Sequence, residues 1–160
     1  MPEHNIKPVY DDQSKILILG SFPSVKSREG KFFYHHPQNR FWKIMENLFN
    51  VKCESIDDKK NFLLKYHIAL WDVIESCDIV GSSDSSIKNV KVNDIKKLID
   101  KSEIKTIFVN GKKSYQLYNK YCLNETKIEA ILLPSTSPAN AMYTLDKLIL
   151  SWKQILKYLD

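Results

Sequence analysis

The sequence predicts a three-layer α/β/α domain built around a central, mostly parallel four-stranded sheet. Three observations carry this. Four short apolar runs, partly β-branched, are spaced along the chain; segments with helical apolar spacing lie between them; and glycine or proline closes several of the runs. A short continuous apolar run suits a strand buried on both faces, as in a parallel sheet.

Taken in order, Lys15 to Gly20 (KILILG) reads as the first strand. Phe41, Ile44, Met45, Leu48 and Phe49 recur at helical spacing and predict a first helix from about Asn39 to Asn50. A second helix is expected over Asp57 to Lys65, with Ile56 near its start, followed by a second strand over Ile68 to Val73. Gly81 to Asn89 (GSSDSSIKN) is polar and turn-rich and predicts a loop. Ile95, Leu98 and Ile99 place a third helix over Asn93 to Lys101. Lys105 to Asn110 is the third strand, turned by Gly111 into a fourth helix over Lys112 to Tyr121. Glu129 to Leu133 is the fourth strand, stopped by Pro134. Leu145 to Leu159 closes the chain as an amphipathic helix with Leu148, Ile149, Trp152, Ile155, Leu156 and Leu159 inside.

The 160 residues fit one domain, 1–160, with no repeat, linker or low-complexity tract. At 43% hydrophobic and 11% aromatic the chain can bury a core. No apolar run approaches the roughly 20 residues that cross a bilayer, and the opening residues up to Lys15 show no secretory signal. Cys53, Cys77 and Cys122 are odd in number and far apart, so they read as reduced thiols of a cytoplasmic protein, not as a disulfide frame or metal cage. The net charge of +5 makes a polyanion a plausible partner, although the lysines are spread along the chain.

In open α/β sheets ligands bind beyond the carboxyl ends of the strands. Here those ends are GSFPS, DVIESC, NGKKS and PSTSPANA, which are expected to converge on one cleft. Between Gly20 and Trp42 the chain concentrates aromatics, histidines and a carboxamide, side chains suited to stacking on a flipped base and bonding its edge. The plainer reading makes Phe32, Phe33 and Trp42 core, and His35 and His36 exposed loop residues. Leu133 to Ala141 (LPSTSPANA) has two prolines and small polar residues, which suit close approach to a DNA backbone or minor groove, although taken alone the segment reads first as an ordinary strand-to-helix connection. Lys112 and Lys113 most simply meet phosphates. Asp72 follows a strand and suits either tuning a pocket or a core hydrogen bond, and Asp84 sits in the solvated serine loop.

GSFPSVKSREGKFFYHHPQNRFW, from Gly20 to Trp42, resembles the first motif of mismatch-type uracil-DNA glycosylases, GxNPG…FxxPxNRFW. LPSTSPANA resembles the second motif of that superfamily, its minor-groove loop with a Ser-Pro step. The hypoxanthine-specific branch is similar further in YxHPxNRFW, in LWDVIESC followed by GSSDSSI, and in VNGKKSYQLY; together these cover most of Lys15 to Met142. Iron–sulfur branches need four cysteines and are excluded by three scattered ones.

The resemblance implies a uracil-DNA glycosylase-like fold and a monofunctional glycosylase that releases hypoxanthine from deoxyinosine in DNA. It implies DNA with deaminated bases as partner, a monomer, and no membrane, metal or cofactor. Asn39 is implied as the catalytic residue, bonding the base or positioning water. Tyr34 falls at the stacking aromatic, Ser21 and Phe22 flank the pocket, and Asn110 would read the base edge. Ser135, Ser137, Pro138, Ala139, Asn140 and Ala141 would hold the DNA, with Lys112 on phosphate. Two departures argue against efficient uracil excision: Phe22 stands where mismatch-type enzymes carry the water-positioning Asn, and Ser135 and Thr136 stand where efficient uracil enzymes carry a histidine. The rival readings are a mismatch-type uracil glycosylase, a catalytically silent damaged-DNA-binding module, and a nucleoside hydrolase acting on free deoxyinosine.

Overall fold

The computed structural model describes residues 6–159; the first five residues, within the stretch read as free of a signal, and Asp160 lie outside them. Four strands, β1 (Ile16–Gly20), β2 (Ile68–Asp72), β5 (Thr106–Asn110) and β6 (Ala130–Leu133), form one sheet in the order β2-β1-β5-β6. All three pairings are parallel. Their apolar runs are continuous because both faces are covered. Ile16 and Ile18 of β1 enter one core cluster, while Leu17 and Leu19 enter the other.

Helices α2 (Phe41–Phe49), α3 (Ile56–Lys65) and α7 (Leu145–Trp152) cover the first face, with Ile44, Met45, Leu63 and Trp152 fully buried there. On the second face lie α4 (Ile95–Asp100) and α5 (Lys112–Tyr121), contributing Ile95, Leu98, Leu117 and Tyr118. Ser55 and Asp58 form a reciprocal capping box at the start of α3, and Asp94 caps α4 from outside the helix. The outer edge of β2 is closed by mutual backbone hydrogen bonds between Val9 and Leu70, the one antiparallel pairing on this sheet among the described residues.

The structure corrects the expected course in several places. DVIESC is not a loop: Asp72 ends β2, and β3 (Ile74–Asp78) pairs antiparallel with β4 (Lys88–Val92) in a separate two-stranded ribbon. Both arms are short and β4 is largely solvent-facing, so neither shows an apolar run. The loop predicted over Gly81–Asn89 therefore ends where β4 begins, and it contains a 3₁₀ turn at Asp84–Ser86. A six-residue helix, α1 (Val25–Gly30), was not predicted; Ser24 caps it by accepting from the Ser27 N–H. Another short helix, α6 (Leu123–Thr126), extends α5. The closing helix stops at Trp152 and tightens into a 3₁₀ segment over Lys153–Tyr158. Among the described residues no helix is long and apolar enough to cross a membrane.

Candidate active site

The carboxyl ends of β1, β2 and β5 set a layer of three side-chain positions on one face of the sheet. Gly20 pairs with Asp72, and Leu19 with Val109, which brings Asn110 alongside Gly20. Strand alternation turns all three positions to the face that Ile18, Leu70 and Phe108 bury. Because Gly20 has no side chain, a gap opens between Asp72 and Asn110, and the Tyr34 hydroxyl occupies it. A Cβ on Gly20 would overlap the Asp72 carboxylate and stand 3.2 Å from the Tyr34 oxygen.

Tyr34 has φ 53, in the left-handed region, and its ring stacks on Phe41 at 4.3 Å between centroids with planes 10° apart. Its hydroxyl is buried, and burial together with the nearby Asp72 carboxylate pushes its pKa up, offset by the Asn110 amide. Asp72 is itself buried, which lifts its carboxyl to about 7.

Above this floor is a cavity of about 340 Å³. The loop after β1 supplies Ser21, Phe22, Tyr34 and Asn39; β5 supplies Asn110; the loop after β6 supplies Ser135, Thr136, Ser137 and Ala139; and the serine loop supplies Ser82 to Ser85. Phe22 is 8% exposed and carries the Arg28 guanidinium over its ring at 5.2 Å. Arg28 also donates to the Gly81 carbonyl, Ser82 accepts from the Val25 N–H, and Ser21 donates to Asp84 at 3.4 Å. The serine loop is thus docked against the loop after β1 as a wall of the cavity. Burial raises the Asp84 pKa, countered by the Ser21 hydrogen bond and by Lys113.

Asn39 is gripped from two sides. Its Oδ1 accepts from the Phe41 N–H at 2.9 Å and from the Thr136 hydroxyl at 2.8 Å. These two donors fix which end of the carboxamide is oxygen, and Nδ2 is left without a protein partner among the described residues. The contact to Phe41 is a turn that leads into α2, whose N-cap is Arg40, so Asn39 shapes the entry to the helix while it lines the cavity. Asn110 holds Thr136 from the other side, accepting the Thr136 N–H at 3.0 Å and donating Nδ2 to its hydroxyl at 3.0 Å. That occupies Oδ1 and one Nδ2 hydrogen, so Asn110 braces the wall more than it presents a free amide edge.

Of the residues picked from sequence, Ser21, Phe22, Tyr34, Asn39, Asn110, Ser135, Ser137 and Ala139 meet at the cavity. Pro138 and Ala141 are exposed on the outer side of the last loop, and Asn140 turns inward to donate to the Ser135 carbonyl. Lys112 is exposed and does not line the cavity; its neighbour Lys113 is the lysine felt by Asp84. His35 packs its ring against Gly30, and His36 accepts from the Gln38 N–H, so neither faces the cavity. The sequence marks Thr136 only as a departure from a histidine, not as the link between both carboxamides, and it does not single out Arg40, which binds the loop after β6. The signal for Arg40 was its position directly after Asn39. Among the described residues no group of three or more His, Cys, Asp or Glu is placed to hold a metal ion.

Residues 7–159 match the family model of the uracil DNA glycosylase superfamily. The chain is 34% identical over 145 residues to a hypoxanthine DNA glycosylase of Methanosarcina barkeri (strain Fusaro / DSM 804), covering 88% of this chain and 89% of that protein. It is 32% identical over 151 residues to a hypoxanthine DNA glycosylase of Methanosarcina acetivorans, covering 90% and 92%. A solution NMR structure of a candidate uracil DNA glycosylase from Methanosarcina acetivorans superposes with a TM-score of 0.84 at 29% identity, over 99% of both chains.

Proposed function

Because the chain belongs to the uracil DNA glycosylase superfamily, we propose that it hydrolyses the N-glycosidic bond of deoxyinosine in DNA, releasing hypoxanthine for the repair of deaminated adenine. It acts as a monomer without metal or cofactor. The oxygen of water joins C1′, the C1′–N9 bond breaks with its electron pair passing to the base, and the water's proton ends on the base or solvent. Charge therefore builds negative on the departing purine, where a preorganised donor lowers the barrier most.

The observation that carries this reading is the fixed orientation of Asn39. With Oδ1 already accepting twice, the carboxamide offers the cavity a donor, not an acceptor. Hypoxanthine presents O6 and N7 as acceptors for it, while water activation would need the occupied oxygen. Tyr34, backed by Phe41, supplies a rigid aromatic wall for the extruded base. Phe22 places an apolar ring where mismatch-type enzymes carry their water-positioning Asn, which favours hypoxanthine over uracil chemistry.

Oligonucleotides carrying inosine, uracil, xanthine or ethenoadenine, incubated with the protein and treated with alkali, test this. Inosine strands should be cleaved fastest in single turnover. Faster cleavage at uracil would move the protein to the mismatch type, and tight binding with no cleavage at any lesion would make it a silent damage binder.

A further inference from the structure

We propose that Arg40 is the positioning residue that sets the shape of the DNA-facing loop after β6, and that it does so without touching DNA phosphate. The inference rests on the glycosylase reading above. An arginine in a basic protein beside a nucleic-acid cleft is ordinarily read as a phosphate ligand. Here four of its five side-chain N–H donors are already turned onto the protein's own carbonyls. Nε donates to the Thr136 carbonyl at 3.4 Å, Nη1 to the Tyr143 carbonyl, and Nη2 to the carbonyls of Ser137 at 2.7 Å and Asn140 at 3.1 Å. Its backbone N–H adds a second bond to the Thr136 carbonyl at 3.1 Å.

One guanidinium thus gathers carbonyls from both ends and the middle of residues 136–143, around which the loop wraps. The loop's own bonds are short-range: Asn140 N–H to the Ser137 carbonyl, Tyr143 N–H to the Asn140 carbonyl, and Asn140 Nδ2 to the Ser135 carbonyl. They shape single turns but do not hold the loop to the domain. Thr136 is tied down by Asn39 and Asn110, and Arg40 holds the rest of the loop, pulling its carbonyls inward so that Pro138, Ala141 and Met142 face outward; Met142 is 87% exposed. A large apolar side chain held out on a rigid loop beside a base-sized cavity suits pressing a nucleotide out of its stack. Arg40 follows Asn39 directly, and both bond residue 136. The base-bonding group and the wedging loop are therefore set by one dipeptide.

Lysine retains the charge but presents a single ammonium that cannot span four carbonyls set around a planar fork. The test compares Arg40→Lys and Arg40→Ala with wild type on inosine in a fully paired duplex and on inosine in an unpaired bubble. A 2-aminopurine beside the inosine reports unstacking independently of excision. Both variants should lose about 30-fold or more in single-turnover excision from the paired duplex and lose the 2-aminopurine signal, while excision from the bubble falls by less than about 3-fold. Retained bubble activity also shows that the variants are folded. The slope of log affinity against log salt for undamaged duplex should be unchanged in Arg40→Ala. A slope smaller by about one would make Arg40 a phosphate ligand and overturn the proposal. Equal losses on paired and bubble substrates, or no loss on either, would also overturn it. If wild type releases no hypoxanthine from either substrate, the glycosylase reading fails, and the 2-aminopurine signal still decides the role of Arg40.

Discussion

Thr136 donates its hydroxyl to the Asn39 carboxamide at 2.8 Å, across a separation of 97 residues, joining the loop after β1 to the loop after β6. The same hydroxyl accepts from Asn110, so Thr136 is the shared partner of both carboxamides in the cavity. It is 1% exposed.

Replacing Thr136 by Val keeps the shape and removes the hydroxyl, leaving Asn39 Oδ1 with one of its two donors and one Asn110 hydrogen without its partner. Loss of a buried hydrogen-bond partner costs about 1–3 kcal/mol, and the carboxamide is then held from the Phe41 side alone. Thr136→Val should lower single-turnover excision by roughly 10- to 100-fold, with a drop in melting temperature. Thr136→Ser should retain most activity. Val and Ser variants of equal activity would show that the bond does not position Asn39.

Asn39→Ala should reduce single-turnover excision by roughly 100-fold or more while DNA binding persists, the scale of removing one preorganised donor. Asn39→Asp separates donor from acceptor. Aspartate still accepts from Phe41 and Thr136, but it offers no hydrogen to the base and puts a negative charge beside a departing anion. It should be as poor as alanine or poorer. Activity retained in Asn39→Asp would assign the residue to water instead.

The sheet was legible because each strand is buried on both faces and announces itself as an apolar run. The β3–β4 ribbon was not, since Lys88, Asn89 and Lys91 face solvent and its pairing is irregular. At the site, residue types and motif resemblance marked Tyr34 and Asn39, but which atoms of Asn39 are engaged depends on Thr136, a contact between distant loops that no local pattern encodes. Arg40 was overlooked for a similar reason. A basic side chain is read as seeking anions, and only the fold shows its donors turned onto backbone carbonyls.

Gly20 tests the layer at the base of the cavity. An added methyl would overlap the Asp72 carboxylate and crowd the Tyr34 hydroxyl, and both groups are buried. Overpacking of this kind costs about 1–3 kcal/mol. Gly20→Ala should therefore unfold at lower denaturant concentration. It should also lose excision activity at temperatures where it remains folded, because Tyr34 must shift off Phe41. A variant with lowered stability but wild-type excision when folded would separate the layer from the chemistry.

Asp72 gives the fold a pH dependence whose sign follows from its burial. Its carboxyl is lifted to about 7 in the folded protein, whereas an unfolded aspartate titrates near 3.9. Between those values the folded state binds the extra proton, so the group's contribution to stability is fully present below about pH 4. It is lost as pH rises through about 7, and is constant above. Asp72→Asn keeps the size and cannot ionise. Urea denaturation of both proteins at pH 5 and pH 8 measures the difference: wild type should lose stability relative to Asp72→Asn across that interval, by an amount on the order of 1–4 kcal/mol. A stability gap that stays constant, or that moves in wild type's favour as pH rises, would mean that the folded protein holds Asp72 ionised.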